Sequence, residues 1–118
     1  METIEILRSA RALIDAPEKW TKGTEARDAH GFRVRFESPD AVCFCAVGAL
    51  LGALHRAGND DDGECVALRR LRKALPIGFA DVVSLNDHPD TTHADIMAVF
   101  DRAIAAEEAA IKALDTPA

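Results

Sequence analysis

The sequence predicts a mainly α fold: a compact bundle of four to five helices around a central apolar helix at about 40–56, with a small β-hairpin at about 24–36. Three observations predict it. Apolar residues recur at helical spacing near both ends of the chain. The run from Ala41 to Leu54 contains no polar or charged side chain except thiols. Phe32, Val34 and Phe36 alternate with Arg33 and Arg35, the period of a half-buried strand.

The first helix is expected over Glu2 to Asp15, burying Ile6, Leu7, Ala10, Leu13 and Ile14 on one face. Ala16-Pro17 ends it, because the residue before a proline avoids the helical region. A turn at 18–23 leads to the hairpin, with Ala29-His30-Gly31 at its tip and Gly31 supplying a positive φ. Ser38-Pro39-Asp40 reads as a helix start, with Ser as the cap and Pro in the first turn. The apolar run that follows is too short to span a bilayer and reads as a buried central helix. On that helix Ala41, Cys45, Gly48 and Gly52 would form a stripe of small residues that another helix approaches closely.

Ala57-Gly58 ends the central helix, and the acidic turn Asn59 to Gly63 would cap the next one. That helix is expected from Glu64 to Leu75, burying Leu68, Leu71 and Leu75, with Pro76 as its stop. One or two helical turns follow at 79–85, then a break at 86–91. Thr92 and Asp95 form a capping box for a last helix that runs to Leu114 and buries Ile96, Val99, Phe100, Ala103 and Ile104. With 118 residues and an apolar fraction of 48%, the chain is expected to form a single domain, 1–118.

The charge narrows the function classes. Net charge is −6, and its excess is uneven: residues 1–59 hold eight acids and eight bases, residues 60–118 twelve and six. Such a surface repels phosphates, so no nucleic-acid partner is expected, and no membrane partner either. Three cysteines, Cys43, Cys45 and Cys65, are an odd count, two of them in an apolar run, so free thiols in a reducing, cytoplasmic setting are expected. The first 15 residues carry charges throughout, unlike a secretory signal.

Metal and cofactor motifs fail on inspection. If Gly63 took the sixth position of a calcium loop, the first and twelfth would be Gly58 and Arg69, where oxygen ligands are needed. Cys43-Phe44-Cys45 has one intervening residue, too few for a structural zinc pair, and His88 and His93 lack a third histidine. No phosphate loop, nucleophile elbow or dinucleotide fingerprint is present, and no cofactor is expected.

Two constellations remain. Cys45, set in the early turns of the central helix, with His93 and with Asn86 or Asp87 to orient it, are the parts of a thiol hydrolase or transferase. The same residues also make a core thiol and ordinary caps, and the neighbours Phe44, Ala46 and Val47 favour the core thiol. Arg69, Arg70, Arg72 and Lys73 form the one strong basic run, either a solvated helix face or a docking patch for an acidic protein partner. Trp20 is either an interface anchor or a lid on the core, and Arg27 offers a bidentate donor beside it.

The function this favours is a small non-enzymatic interaction module, monomeric or homodimeric; a Cys-dependent enzyme is the alternative, and a small-molecule binder over the Gly48/Gly52 stripe a third. Any site is expected where the loop 86–93 meets the start of the central helix. There, helix N-termini near Asp40 and His93 would offer unpaired N–H groups to an anion.

One set of residues resembles a known family. Trp20, Gly23 and Ala26-Arg27-Asp28 precede Cys45-Ala46-Val47-Gly48-Ala49-Leu50; then come Asn86-Asp87, His93 and Phe100-Asp101-Arg102-Ala103-Ile104. In this order they resemble a family of small bacterial and bacteriophage proteins of unknown function, over about residues 5–106. Cys43 and the acids at 60–62 lie outside the pattern. The resemblance implies one compact helical domain and supplies no reaction.

Overall fold

The computed structural model describes residues 2–58 and 65–115. The expected cap at Asn59 to Gly63 and the helix start at Glu64 lie outside the described residues. Among the described residues the architecture is mainly α, with five α-helices and a small antiparallel sheet. In chain order these are α1 (Thr3–Leu13), a 3-10 turn (Pro17–Lys19), β1 (Ala26–Arg27), β2 (Arg33–Val34), β3 (Cys43–Phe44), α2 (Ala46–Arg56), α3 (Val66–Lys73), α4 (Val82–Asp87) and α5 (His93–Asp115).

Helices α1, α2 and α5 carry most of the core. Leu7, Ala10 and Ile14 pack with Ala49, Leu50 and Ala53 of α2 and with Ile96, Val99, Phe100 and Ala103 of α5. These are the apolar faces expected from spacing, although Leu13, Leu68, Leu75 and Ile104 are only half-buried. Outside the core, Arg8 pairs with Glu108 and Arg11 with Asp101, both at 2.7 Å. Exposed pairs of this kind contribute little. The capping box forms as expected: Asp95 N–H donates to Thr92 Oγ1 at 3.3 Å and Thr92 N–H to Asp95 Oδ2 at 2.9 Å.

The hairpin is present but is part of a larger unit. β1 pairs with β2 (Ala26 with Val34) and, on its other side, with β3 (Ala26 with Phe44), giving the order β2-β1-β3. Gly31 sits at the tip with φ +83°, and the Asp28 side chain accepts from His30 and Phe32 N–H, each at 2.9 Å.

The central helix begins later than its sequence implies. Ser38-Pro39-Asp40 is a turn closed by Ala41 N–H to the Ser38 carbonyl, not a helix start. Residues 42–45 then run along the free edge of β1, with Val42 N–H donating to the Arg27 carbonyl and Cys45 N–H to the Glu25 carbonyl. A bare strand edge leaves backbone groups unpaired, and this apolar segment satisfies them. Helix α2 therefore spans Ala46–Arg56 rather than about 40–56. It is buried along most of its length, as its composition requires.

The small-residue stripe also has another partner. Ala41 lies outside the helix, and what approaches Gly48 is the Glu25 backbone rather than a second helix. A Cβ on Gly48 would stand 2.0 Å from the Glu25 carbonyl oxygen, whereas one on Gly52 would meet the Leu13 side chain at an ordinary 3.5 Å.

The segment 79–85 is likewise shifted. Asp81 caps α4 by accepting from Ser84 N–H (2.8 Å) and Oγ–H (3.0 Å), so Asn86 and Asp87 end a helix instead of starting a loop. Those hydrogen bonds hold the Asp81 carboxyl below the usual carboxylate range.

The Gly48 contact yields a paired test. Gly48→Ala forces backbone apart and is expected to destabilise by about 1–3 kcal/mol or more. Gly52→Ala meets open van der Waals distances and gains helix propensity, so it is expected to be neutral or stabilising by up to ~1 kcal/mol. Thermal melts of the two variants check the contrast; equal melting temperatures would refute the close approach.

Candidate functional site

The loop 20–23, the start of α2 and the end of α4 converge on one buried side chain, Asn86, which is 1% exposed. Its Oδ1 accepts from the Trp20 indole Nε1–H at 2.7 Å and from the Ala46 backbone N–H at 3.0 Å. Its Nδ2 donates to the Thr21 carbonyl at 3.1 Å and to Asp87 Oδ1 at 3.0 Å. The donor and acceptor identities of these partners fix the amide orientation. Asp87 Oδ1 also accepts from Gly23 N–H at 2.9 Å, with Gly23 at φ +81°.

The surrounding groups hold this loop in place. Arg27 lies on β1 and donates from Nε to Thr21 Oγ1 (3.0 Å), from Nη1 to the Gly31 carbonyl and from Nη2 to the Lys22 carbonyl (both 3.1 Å). It ties the loop to the hairpin tip rather than facing outward. Lys22 donates to the His88 carbonyl at 2.6 Å, and its ammonium stands 5.4 Å from the Trp20 ring centre. Trp20 is half-buried against the core and extends the sheet beside Phe44.

The thiol constellation is partly assembled. Cys45, Asn86 and Asp87 line one cavity of about 280 Å³, with Gly23, Thr24, Glu25, Val47 and Val83. His93 is not among its lining residues. The His93 ring lies 6.2 Å from that of Trp20, and its Nε2 donates to the Ile14 carbonyl at 2.7 Å. Cys45 is the N-cap of α2, not a residue of its first turns, and its Sγ accepts from Gly48 N–H at 3.2 Å.

Burial raises the Cys45 thiol above its ordinary value, and the Asp87 and Glu25 carboxylates push in the same direction. Hydrogen bonds from the Gly48 and Val47 N–H groups oppose the shift without reversing it. A neutral, buried thiol with no imidazole in its cavity is a poor nucleophile.

The expected anion sites are also accounted for. No helix starts near Asp40. At the start of α2, Ala46 N–H goes to Asn86, and the Gly48 and Val47 N–H groups go to Cys45. At α5, Asp95 N–H is taken by Thr92. Among the described residues no group of three or more His, Cys, Asp or Glu could hold a metal ion. All three thiols are free.

The basic run lies on α3 and takes part in a groove that its own spacing did not reveal. Arg70 pairs with Glu107 at 2.6 Å, and Arg102 donates to the Ala74 carbonyl at 3.0 Å. Arg70, Lys73, Ala74, Leu75, Arg102, Ala106 and Ala110 line a hollow of about 400 Å³ between α3 and α5. Arg69, Arg72 and Lys73 are exposed. Arg102, Ala106 and Ala110 do not stand out as site residues in the sequence, because they flank the apolar stripe of α5 and only their four-residue spacing marks them.

A model for a family of unknown function, DUF6197, matches residues 1–106. No curated protein and no solved structure matches the chain. No helix among the described residues is long and apolar enough to cross a membrane.

Two experiments test this account. Asn86→Ala leaves the Ala46 N–H and the Trp20 indole without partners, and a loss of about 2–4 kcal/mol is expected. Trp20, the single tryptophan, reports the change directly by its emission in denaturant titrations; a variant as stable as the parent would show the hub to be dispensable. The second concerns pH. Because the folded thiol of Cys45 is raised, its stabilisation is complete below the unfolded thiol pKa and is lost as pH rises through that range. Native-state alkylation should therefore label half-buried Cys43 and Cys65 first and Cys45 last. Fast labelling of Cys45 at neutral pH contradicts the raised value.

Proposed function

The chain belongs to the DUF6197 family, and from that premise we propose that it is a non-enzymatic interaction module that binds an acidic segment of a protein partner on the face shared by α3 and α5. The observation that carries this reading is the composition of the hollow between those helices. Arg70, Lys73 and Arg102 stand around a floor of Ala74, Leu75, Ala106 and Ala110 in a chain whose net charge is −6. One carboxylate, Glu107, sits against Arg70 and holds it in place. Among the described residues Lys73 has no ion pair, and its ammonium is exposed. A cationic rim around a small apolar floor suits a partner that brings carboxylates and a short apolar seam.

The alternative, a Cys-dependent hydrolase or transferase using Cys45, His93 and Asn86 or Asp87, needs thiolate and base in one place. The raised thiol and the bond from His93 to Ile14 weigh against it. The rest of the reading follows from the sequence: a bacterial or bacteriophage origin from the family resemblance, a cytoplasmic setting from the free thiols, and a monomer or homodimer with no cofactor, nucleic acid or membrane partner.

A helical peptide of Glu, Leu and Ala, titrated into isotopically labelled protein, tests the proposal. Amide shifts are expected at 69–75 and 102–110, weakening with added salt. Lys73→Glu should weaken binding about 3- to 10-fold. Shifts absent from this face, or unaltered by the substitution, overturn the reading.

A further inference from the structure

The basic hollow does not end at Arg102. A second hollow of about 350 Å³ begins there, lined among others by Pro76, Phe79, His88, Asp90, Asp95 and Ala98. Arg102 lines both. The α5 residues that face the two hollows are Asp95, Ala98, Arg102, Ala106 and Ala110. Their steps of three and four residues place them on one face of the helix. The two hollows meet at Arg102, whose Nε–H reaches across to the Ala74 carbonyl between them, and together they form a groove that runs about 22 Å along α5 at the helical rise of about 1.5 Å per residue.

The groove has a charge direction. Arg70 and Lys73 stand at the end nearer the α5 C-terminus, and Asp90 and Asp95 at the end nearer its N-terminus. The Asp95 carboxyl is held below the usual range by hydrogen bonds from the Thr92 backbone and side chain, so it is ionised. The floor is alanine at 98, 106 and 110, which lets a neighbouring backbone come close. Beside Pro76 on the wall, Ile77 is wholly exposed at 104%.

We propose that this groove seats an amphipathic helix of a partner protein, roughly 15 residues long and antiparallel to α5, with acidic residues in its first turns and basic residues in its last. The inference rests on the interaction-module reading and specifies its partner. In this orientation the acids meet Arg70 and Lys73, and the bases meet Asp90 and Asp95. The pattern agrees with the partner helix's own dipole, which favours acids at its N-terminus and bases at its C-terminus. The antiparallel setting also places the negative end of one helix beside the positive end of the other.

Three synthetic helical peptides with the same Leu/Ala seam test it: one acidic then basic, one basic then acidic, and one acidic throughout. The first is expected to bind about tenfold more tightly than the second. A spin label on its N-terminus should broaden amides near 106–110, and one on its C-terminus those near 90–95. Asp90→Lys should weaken the first peptide several-fold and leave the all-acidic peptide no weaker. If the all-acidic peptide binds at the basic end while the first two are equal, the directed helix is wrong and the acidic docking face stands. If none of the three binds, both fail.

Discussion

The buried amide of Asn86 is the constraint on which the rest of the site depends. Its two lone-pair positions and two N–H groups all have protein partners. Those partners come from the loop after α1, from the first residue of α2 and from α4 itself. Segments far apart in sequence are thereby held at fixed separations by one side chain. Because the amide is excluded from water, removing it strands donors that have no substitute. The hub works beside Gly48, where the Glu25 backbone approaches α2 so closely that no side chain fits. The Glu25 carbonyl accepts from Cys45 N–H just ahead of that helix. Sheet, loop and helix are thus locked together at one end of α2, and the N–H groups there that would attract an anion are used internally.

Much of the fold is legible in sequence because it is dictated by local period. α1, α3 and α5 each have an apolar stripe against charged flanks, and the stripe both forms the helix and picks its buried face. Gly31 and the Thr92–Asp95 box announce themselves because their chemistry is local. β3 is not legible for the opposite reason. Ala41 to Leu54 is uniformly apolar, and a uniform run has no period to separate strand from helix. What decides residues 42–45 is the open edge of β1, which is tertiary information. The start of α2 then shifts to Ala46, and Cys45 changes from a residue of the helix into its cap.

The candidate site shows the same division. Its position, where the segment around Asn86 meets the start of the central helix, is legible, since polar and titratable residues concentrate there. The role of those residues is not. Asn86 and Trp20 are 66 residues apart, and nothing local pairs them. His93 and Cys45 share a chemistry that sequence can name, but His93 is committed to the Ile14 carbonyl, which is known only once α1 and α5 are packed. A list of reactive side chains does not distinguish groups aimed at a substrate from groups that satisfy one another.

That distinction is what favours the α5 groove as the proposed docking surface. Among the described residues no buried side-chain polar atom lacks a hydrogen-bond partner. An active site generally keeps some polar groups poised for a ligand and therefore incompletely satisfied by the protein. Here the polar cluster around Asn86 is closed upon itself. The α5 groove is the contrary case. Its cations and carboxylates stand on α3, on α5 and in the loop before α5, and half-buried or exposed alanines line its floor. Small residues there leave room for a second backbone to come near. The interior is built to hold one arrangement, and the proposed docking face lies outside it, where charge is carried at the surface.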